Sequence, residues 1–224
     1  LATVDFFEAL DWKFVVFCFL ATLISITAVT LLSFLLKDKS LQGEFIQASY
    51  RSSAAILGIA IIQNLYGNAG MAPLMIIASV PLYNVMAVVI LSIFKPGQGK
   101  LNGVVLKRTL KGIITNPIIL GIAAGTLWSL LRLPFPKILD STVGNLAKTA
   151  TPLGLMAMGG SLRFGKAFSR LKASVACTFM KLVGYEALFL PLAIRCGFTQ
   201  DKLVSIIIML GSASTVTCFV MAKN

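Results

Sequence analysis

An all-α, polytopic helical membrane protein is the fold class this sequence predicts, and three observations predict it. Of 224 residues, 57% are hydrophobic and 12% charged, where a soluble domain carries about 25% charged residues. Four runs hold no charged residue: 14–36, 52–94, 112–131 and 203–222. A helix needs roughly 20 apolar residues to cross the hydrocarbon core, where backbone N–H and C=O groups must be paired within the segment. The runs are continuous rather than alternating, which excludes barrel strands.

Taken in order, seven spans are expected: 12–36, 49–66, 70–94, 112–132, 143–162, 173–195 and 203–222. The second and third share one charge-free run, divided by "QNLYGNAG" (63–70), whose Gly, Asn and Gln read as a tight interfacial turn. The fifth is flanked at its start by Asp140 and Lys148. The chain opens on Leu1 and an acidic "LATVDFFEALDWK", which has no basic region before an apolar run and is not a signal peptide. A fragment of a longer protein is the expectation.

The net charge of +12 is distributed by loop. Lys95, Lys100, Lys107, Arg108 and Lys111 follow the third span, and Arg163, Lys166, Arg170 and Lys172 follow the fifth, with no acidic residue in either loop. Asp5, Glu8 and Asp11 lie at the opposite, N-terminal side. This is the positive-inside pattern, which places 95–111 and 163–172 in the cytoplasm and accounts for the charge without nucleic acid. Cys18, Cys177, Cys196 and Cys218 form no CxxC pair, and there is no histidine. HExxH chemistry is thereby excluded, and with no nucleophile–base pair or metal-ligand spacing, neither an enzyme nor a cofactor or metal is expected.

"ATPLGLMAMGGSLRF" (150–164) is apolar yet carries a proline and three glycines. In lipid, helices associate through close packing, which small residues permit. At about 100° per residue, Ala150, Gly154, Ala157 and Ser161 share one narrow face. That face is a packing strip or a sliding surface between moving bundles. Pro152 is expected near the helix start, where a missing N–H costs least.

Two spans differ from the rest. "SSAAILGIAIIQN" (52–64) and "SASTVTCFVMAKN" (212–224) both run from small hydroxyl residues through an apolar stretch to a polar end, although only two of 13 positions are identical. They run in opposite directions through the membrane, as an inverted repeat requires, and such repeats place discontinuous helices and a substrate site at the midplane. Ser and Thr can pair backbone groups released by unwinding, or bond back to their own helix. The site expected at such a crossing comprises Ser52, Ser53, Gly58, Gly211, Ser212, Ser214 and Thr215. Tyr83 and Asn84, just after Pro81, either join it or cap the backbone that Pro81 frees. Lys181 and Glu186 lie inside a span, where each costs roughly 2.5–3.5 kcal/mol on insertion scales. Five residues apart, they point about 140° away from each other on a helix. Lys181 would attract an anion and Glu186 would carry a proton, unless both are structural contacts between helices.

Four stretches carry a family resemblance: "YRSSAAILGIAIIQNLYG" (50–67), "NPIILGIAAGTLWSLLRLPFP" (116–136), "ATPLGLMAMGGSL" (150–162) and "MLGSASTVTCFVMAKN" (209–224). They resemble spans four, six, seven and nine of the auxin efflux carrier family, whose bacterial members include malate and other organic-acid permeases. The resemblance implies an inverted-repeat transporter fold with two crossing discontinuous helices, of which this partial chain holds about spans three to nine of ten. Residues 1–94 would end the first repeat, 95–111 link the halves, and 112–224 supply most of the second. It also implies that the helix bearing Gly154, Ala157 and Ser161 belongs to a scaffold against which a transporting bundle moves. The family often has Asn where Ser53 stands and proline near Ala60; both are absent here. The function so implied is a secondary transporter of small organic anions, auxin-like or dicarboxylic, coupled to H+ or Na+ in a bacterial inner membrane, with a homodimer as an assembly. A seven-span receptor or photoreceptor is the alternative.

Overall fold

The computed structural model describes residues 10–68, 70–94, 103–115, 117–131, 136–161, 165, 168 and 170–223, and among these every regular element is helical. The chain is an all-α polytopic membrane protein. Helix α1 (Trp12–Ser33) is capped by Asp11, whose side chain accepts from the Phe14 N–H. Lys202 donates to the same carboxylate at 2.7 Å, and that bond holds the Asp11 carboxyl below the usual carboxylate range. After a 3₁₀ turn (Lys39–Leu41) come α2 (Gln42–Tyr50), a π turn (Ala54–Gly58) and its continuation α3 (Ile59–Tyr66). Gly67, at φ 72°, ends α3 in the left-handed region that glycine adopts without penalty. Next are α4 (Ala72–Ile93), α5 (Gly103–Ile114), α6 (Pro117–Leu130) and α7 (Lys137–Gly160). The last group is α8 (Leu171–Phe179), a second π turn (Met180–Gly184), α9 (Tyr185–Arg195), α10 (Gln200–Gly211) and α11 (Val216–Lys223).

Among the described residues, four stretches are long and apolar enough to cross a bilayer: Trp12–Ser33, Ala72–Ile93, Leu171–Arg195 and Gln200–Ala222. The expected discontinuous span 49–66 is two helical segments, because the chain is extended at Arg51 (φ −77°, ψ 121°). Two of the other expected spans are corrected. The expected span 112–132 is α6, 14 residues long, which at 1.5 Å per residue covers only about 21 Å. Pro117 at its start cannot donate to a preceding turn, so α5 and α6 stay separate and part of the expected linker 95–111 is helix. The fifth expected span begins earlier, at Lys137, which puts Pro152 well inside α7 rather than near its start.

Two apolar clusters hold the bundle. Phe14, Cys18, Ile62, Met75, Phe189 and Met209 belong to one, joining α1, α3, α4, α9 and α10. Ile26, Ile46, Tyr50, Tyr83 and Ile90 belong to the other, which joins α1, α2 and α4. Both lie against the interrupted segment 42–66, so the packing grips each side of its break. Helix α7 stands outside these clusters, with Leu153 and Met156 62% and 73% exposed.

Candidate functional site

The two breaks meet. Helix α2 ends at Tyr50 and helical structure resumes at Ala54; α10 ends at Gly211 and resumes at Val216. No proline stands in either gap. Hydroxyl residues occupy both: Ser52 and Ser53 in the first, Ser212, Ser214 and Thr215 in the second. Such side chains compete for backbone hydrogen bonds and so weaken a helix locally. The first π turn and α3 pack on α10, while α2 packs on α11. Each half before one break therefore lies on the half after the other, which is an antiparallel crossing.

Extended backbone in a buried place must find partners, and here each break supplies some of the other's. The Ser53 N–H donates to the Ala213 carbonyl at 2.9 Å. Ser214 Oγ donates to the Ala48 carbonyl at 3.1 Å. Lys181 Nζ donates to the Arg51 carbonyl, and it lies 3.4 Å from Ser214 Oγ. Tyr83 Oη accepts from Ser52 Oγ and donates to the Met209 carbonyl at 3.1 Å. The hydroxyl of Tyr50 donates to the Tyr83 carbonyl at 3.2 Å.

Arg51, which the sequence pattern did not single out, is the centre of this arrangement. Its side chain is 3% exposed. One guanidinium nitrogen donates to Asn84 Oδ1 at 2.5 Å and to Thr217 Oγ1 at 3.0 Å, and the other lies 2.9 Å from Met221 Sδ. Lys181 is 4% exposed. Among the described residues neither cation has a carboxylate within ion-pair distance; the pairs present are Arg170–Glu44 and Lys202–Asp11. Two buried positive charges therefore converge on the crossing with neutral partners only. The one available signal for Arg51 was its place three residues inside the expected span 49–66, where it reads as a snorkelling end residue.

A cavity of about 500 Å³ reaches from Leu41, Glu44 and Arg170 to Lys181, Ala213 and Ser214. A second, of about 820 Å³, lies between α2, α7 and α11 and is lined by Gln47, Ser161, Ser214, Thr215 and Cys218. Ser214 borders both. Buried Gln47 Oε1 has no hydrogen-bond partner among the described residues.

A sequence profile of the membrane transport protein family matches residues 8–224. The chain belongs to that family, the one that includes the auxin efflux carriers. No curated protein and no solved structure matches it. It is thus an integral membrane protein of a transporter family, and the receptor alternative finds no support.

In this transporter the residues expected at the site separate into groups. Ser52, Ser53, Ser212, Ser214 and Thr215 all lie in the two breaks, and Gly211 ends the helix before the second. Tyr83 and Asn84 lie beside the crossing, yet their polar atoms are spent on protein partners: Asn84 Nδ2 donates to the Val80 carbonyl at 2.8 Å and Oδ1 receives Arg51. Gly58 lies in the π turn, where a Cβ would come 3.2 Å from Met75 and 3.3 Å from Ile208, so it lets α4 and α10 approach rather than opening toward either cavity.

Of the small-residue strip, Gly154 faces α11: a Cβ there would come 2.5 Å from Val216 Cγ1. Ser161 borders the second cavity and donates to the Ala157 carbonyl at 2.5 Å, while Ala157 itself is exposed. Ala150, by its side chain, lies outside the described residues.

Proposed function

We propose that this transporter moves small organic anions, with the anion's carboxylate held at the crossing by Lys181. The observation that carries this reading is the pair of buried cations lacking any acidic partner among the described residues, one of which borders a cavity. Arg51 donates to Asn84 and Thr217, lies against Met221 and fixes the break in place. Lys181 has three N–H donors and two protein acceptors, so it retains one for a ligand. Ser214 Oγ lies beside it on the same cavity wall. A carboxylate arriving there would exchange water for charge-assisted hydrogen bonds, which contribute about 1.5–3 kcal/mol each. The apolar wall from Phe45, Ala48, Ala173, Cys177 and Leu182 would accept the body of the anion.

The family's inverted-repeat plan supplies the rest of the reading. The halves 1–94 and 112–224 would be related by an axis in the membrane plane, with 95–111 joining them. The loops 95–111 and 163–172 would lie in the cytoplasm of a bacterial inner membrane, which makes the cavity at Glu44 and Arg170 an opening toward that side. An impermeant maleimide added outside intact cells should label a cysteine placed at Lys172 far more slowly than one placed at Asn68; fast labelling at 172 would reverse the orientation.

The direct test of the reading is uptake of labelled carboxylates by proteoliposomes of the full-length protein, with benzoate, malate and citrate as probes and choline as a cationic control. Saturable uptake of an anion, competed by other anions and not by choline, is expected. Selective uptake of choline would overturn the anion reading.

A further inference from the structure

Glu186 is the one acidic side chain among the described residues that is buried against a helix break. It stands in the first turn of α9, just after the second π turn. Both carboxyl oxygens are shielded from solvent and neither has a hydrogen-bond partner. A Cβ on Gly211 would lie 2.6 Å from Oε1, so the carboxyl rests directly on the last residue of α10. The next residue, Ser212, also has a buried, unpartnered hydroxyl. Three orphaned oxygen atoms thus gather at the second break, on a different neighbour from the Lys181 ammonium.

The surroundings oppose a negative charge there. The C-terminal end of a helix carries about half a negative charge, and Gly211 is that end of α10. Burying an ionised carboxylate without donors is prohibitively costly, whereas the neutral acid is not. The elements packed most against α9 are α10, the second π turn and α1. Their titratable groups are occupied elsewhere. Lys181 points to the Arg51 carbonyl and Ser214, Lys13 to the Cys196 carbonyl, and Lys202 to Asp11. Asp201 lies beside Gly70 and accepts from the Lys202 N–H, and Cys18 is enclosed in the apolar core. On α9 itself Tyr185 donates to the Ser25 carbonyl and Arg195 is exposed at the far end.

We infer that Glu186 is a proton-binding site seated on the second break, holding its proton in this conformation and releasing it to water when the break moves. The balance is one proton: the carboxylic acid yields a carboxylate and a hydronium on one side, and takes a proton back on the other. This deepens the transport reading, because an anion carried together with that proton crosses at lower electrostatic cost, and the coupling role of the inference rests on that reading.

Two arms test it on the full-length protein. Infrared spectra of the purified protein at neutral pH should show a protonated-carboxyl C=O band that is absent in Glu186→Gln and shifted in Glu186→Asp. Identical spectra for the wild type and Glu186→Gln would overturn the site. In proteoliposomes loaded with malate, Glu186→Gln should lose pH-gradient-driven malate accumulation by about tenfold while keeping malate–malate exchange. Gradient-driven accumulation equal to wild type would overturn the coupling role. Should wild-type vesicles take up none of benzoate, malate and citrate while the infrared band persists, the transport reading fails and the proton site stands.

Discussion

Lys181→Met is expected to reduce anion uptake by about 10- to 100-fold, the loss of one charge-assisted hydrogen bond at 1.5–3 kcal/mol, without lowering the melting temperature. The second half of that expectation separates a ligand contact from a structural one. Lys181 is buried with a backbone carbonyl and a hydroxyl as its acceptors and no carboxylate. An ammonium in such a place costs several kcal/mol of desolvation. Methionine fills similar volume and removes that cost, leaving the Arg51 carbonyl and Ser214 Oγ to find water from the adjoining cavity. Uptake at the wild-type level, or uptake and melting temperature falling together, would show that the ammonium serves the fold and not the anion. Differential scanning fluorimetry and uptake at matched protein density give both readings.

Gly154→Leu should reduce uptake at least about tenfold, corresponding to 1.4 kcal/mol or more of overpacking, and the reason is one contact. A Cβ at Gly154 already falls 2.5 Å from Val216 Cγ1. Val216 is the first residue of α11, so any side chain at 154 displaces the start of the helix beyond the second break. The effect should grade with size, with Gly154→Ala the milder change, and Val216→Ala should restore most of the activity of Gly154→Ala. Leu155→Ala, on an exposed position of the same helix, should leave uptake near wild type. Failure of Val216→Ala to relieve Gly154→Ala would place the interference elsewhere along α7.

The fold class was legible because it follows from composition: charge-free runs long enough for a bilayer permit little else. The breaks were legible from clustered hydroxyls and from Gly211, features that act on the backbone locally. Features set by tertiary placement escaped. "QGEFIQA" (42–48) is too polar to count as part of a span, yet it makes up most of α2, whose Gln47 and Ser49 are fully buried between other helices. Arg51 looked like an end residue because the sequence does not display Asn84 or Thr217 beside it. The 140° separation expected of Lys181 and Glu186 assumes regular α-helix, and the second π turn interrupts that regularity. A π turn inserts a residue into the helical register and re-aims the side chains beyond it. Lys181 is thereby turned to the first break and Glu186 to the second. Tyr83 and Asn84 were recognised as polar groups in a membrane, but whether such groups serve a ligand or the protein depends on neighbours distant in sequence, Met209 for Tyr83 and Arg51 for Asn84.

Arg51 and Lys181, both buried at the crossing with no counter-ion among the described residues, also make the protein an electrical object. A charge that crosses the whole membrane field exchanges about 2.3 kcal/mol per 100 mV, and a fixed pair that traverses part of the field exchanges the corresponding share. If the crossing is carried across during transport, the empty carrier with Glu186 ionised moves as a monocation, and so does the carrier loaded with one carboxylate and the Glu186 proton. Membrane voltage then acts on both half-cycles, so the resting potential of the cell would bear on the turnover rate. Solid-supported-membrane recordings would register this as a charge displacement that persists with no substrate present and shrinks in Lys181→Met.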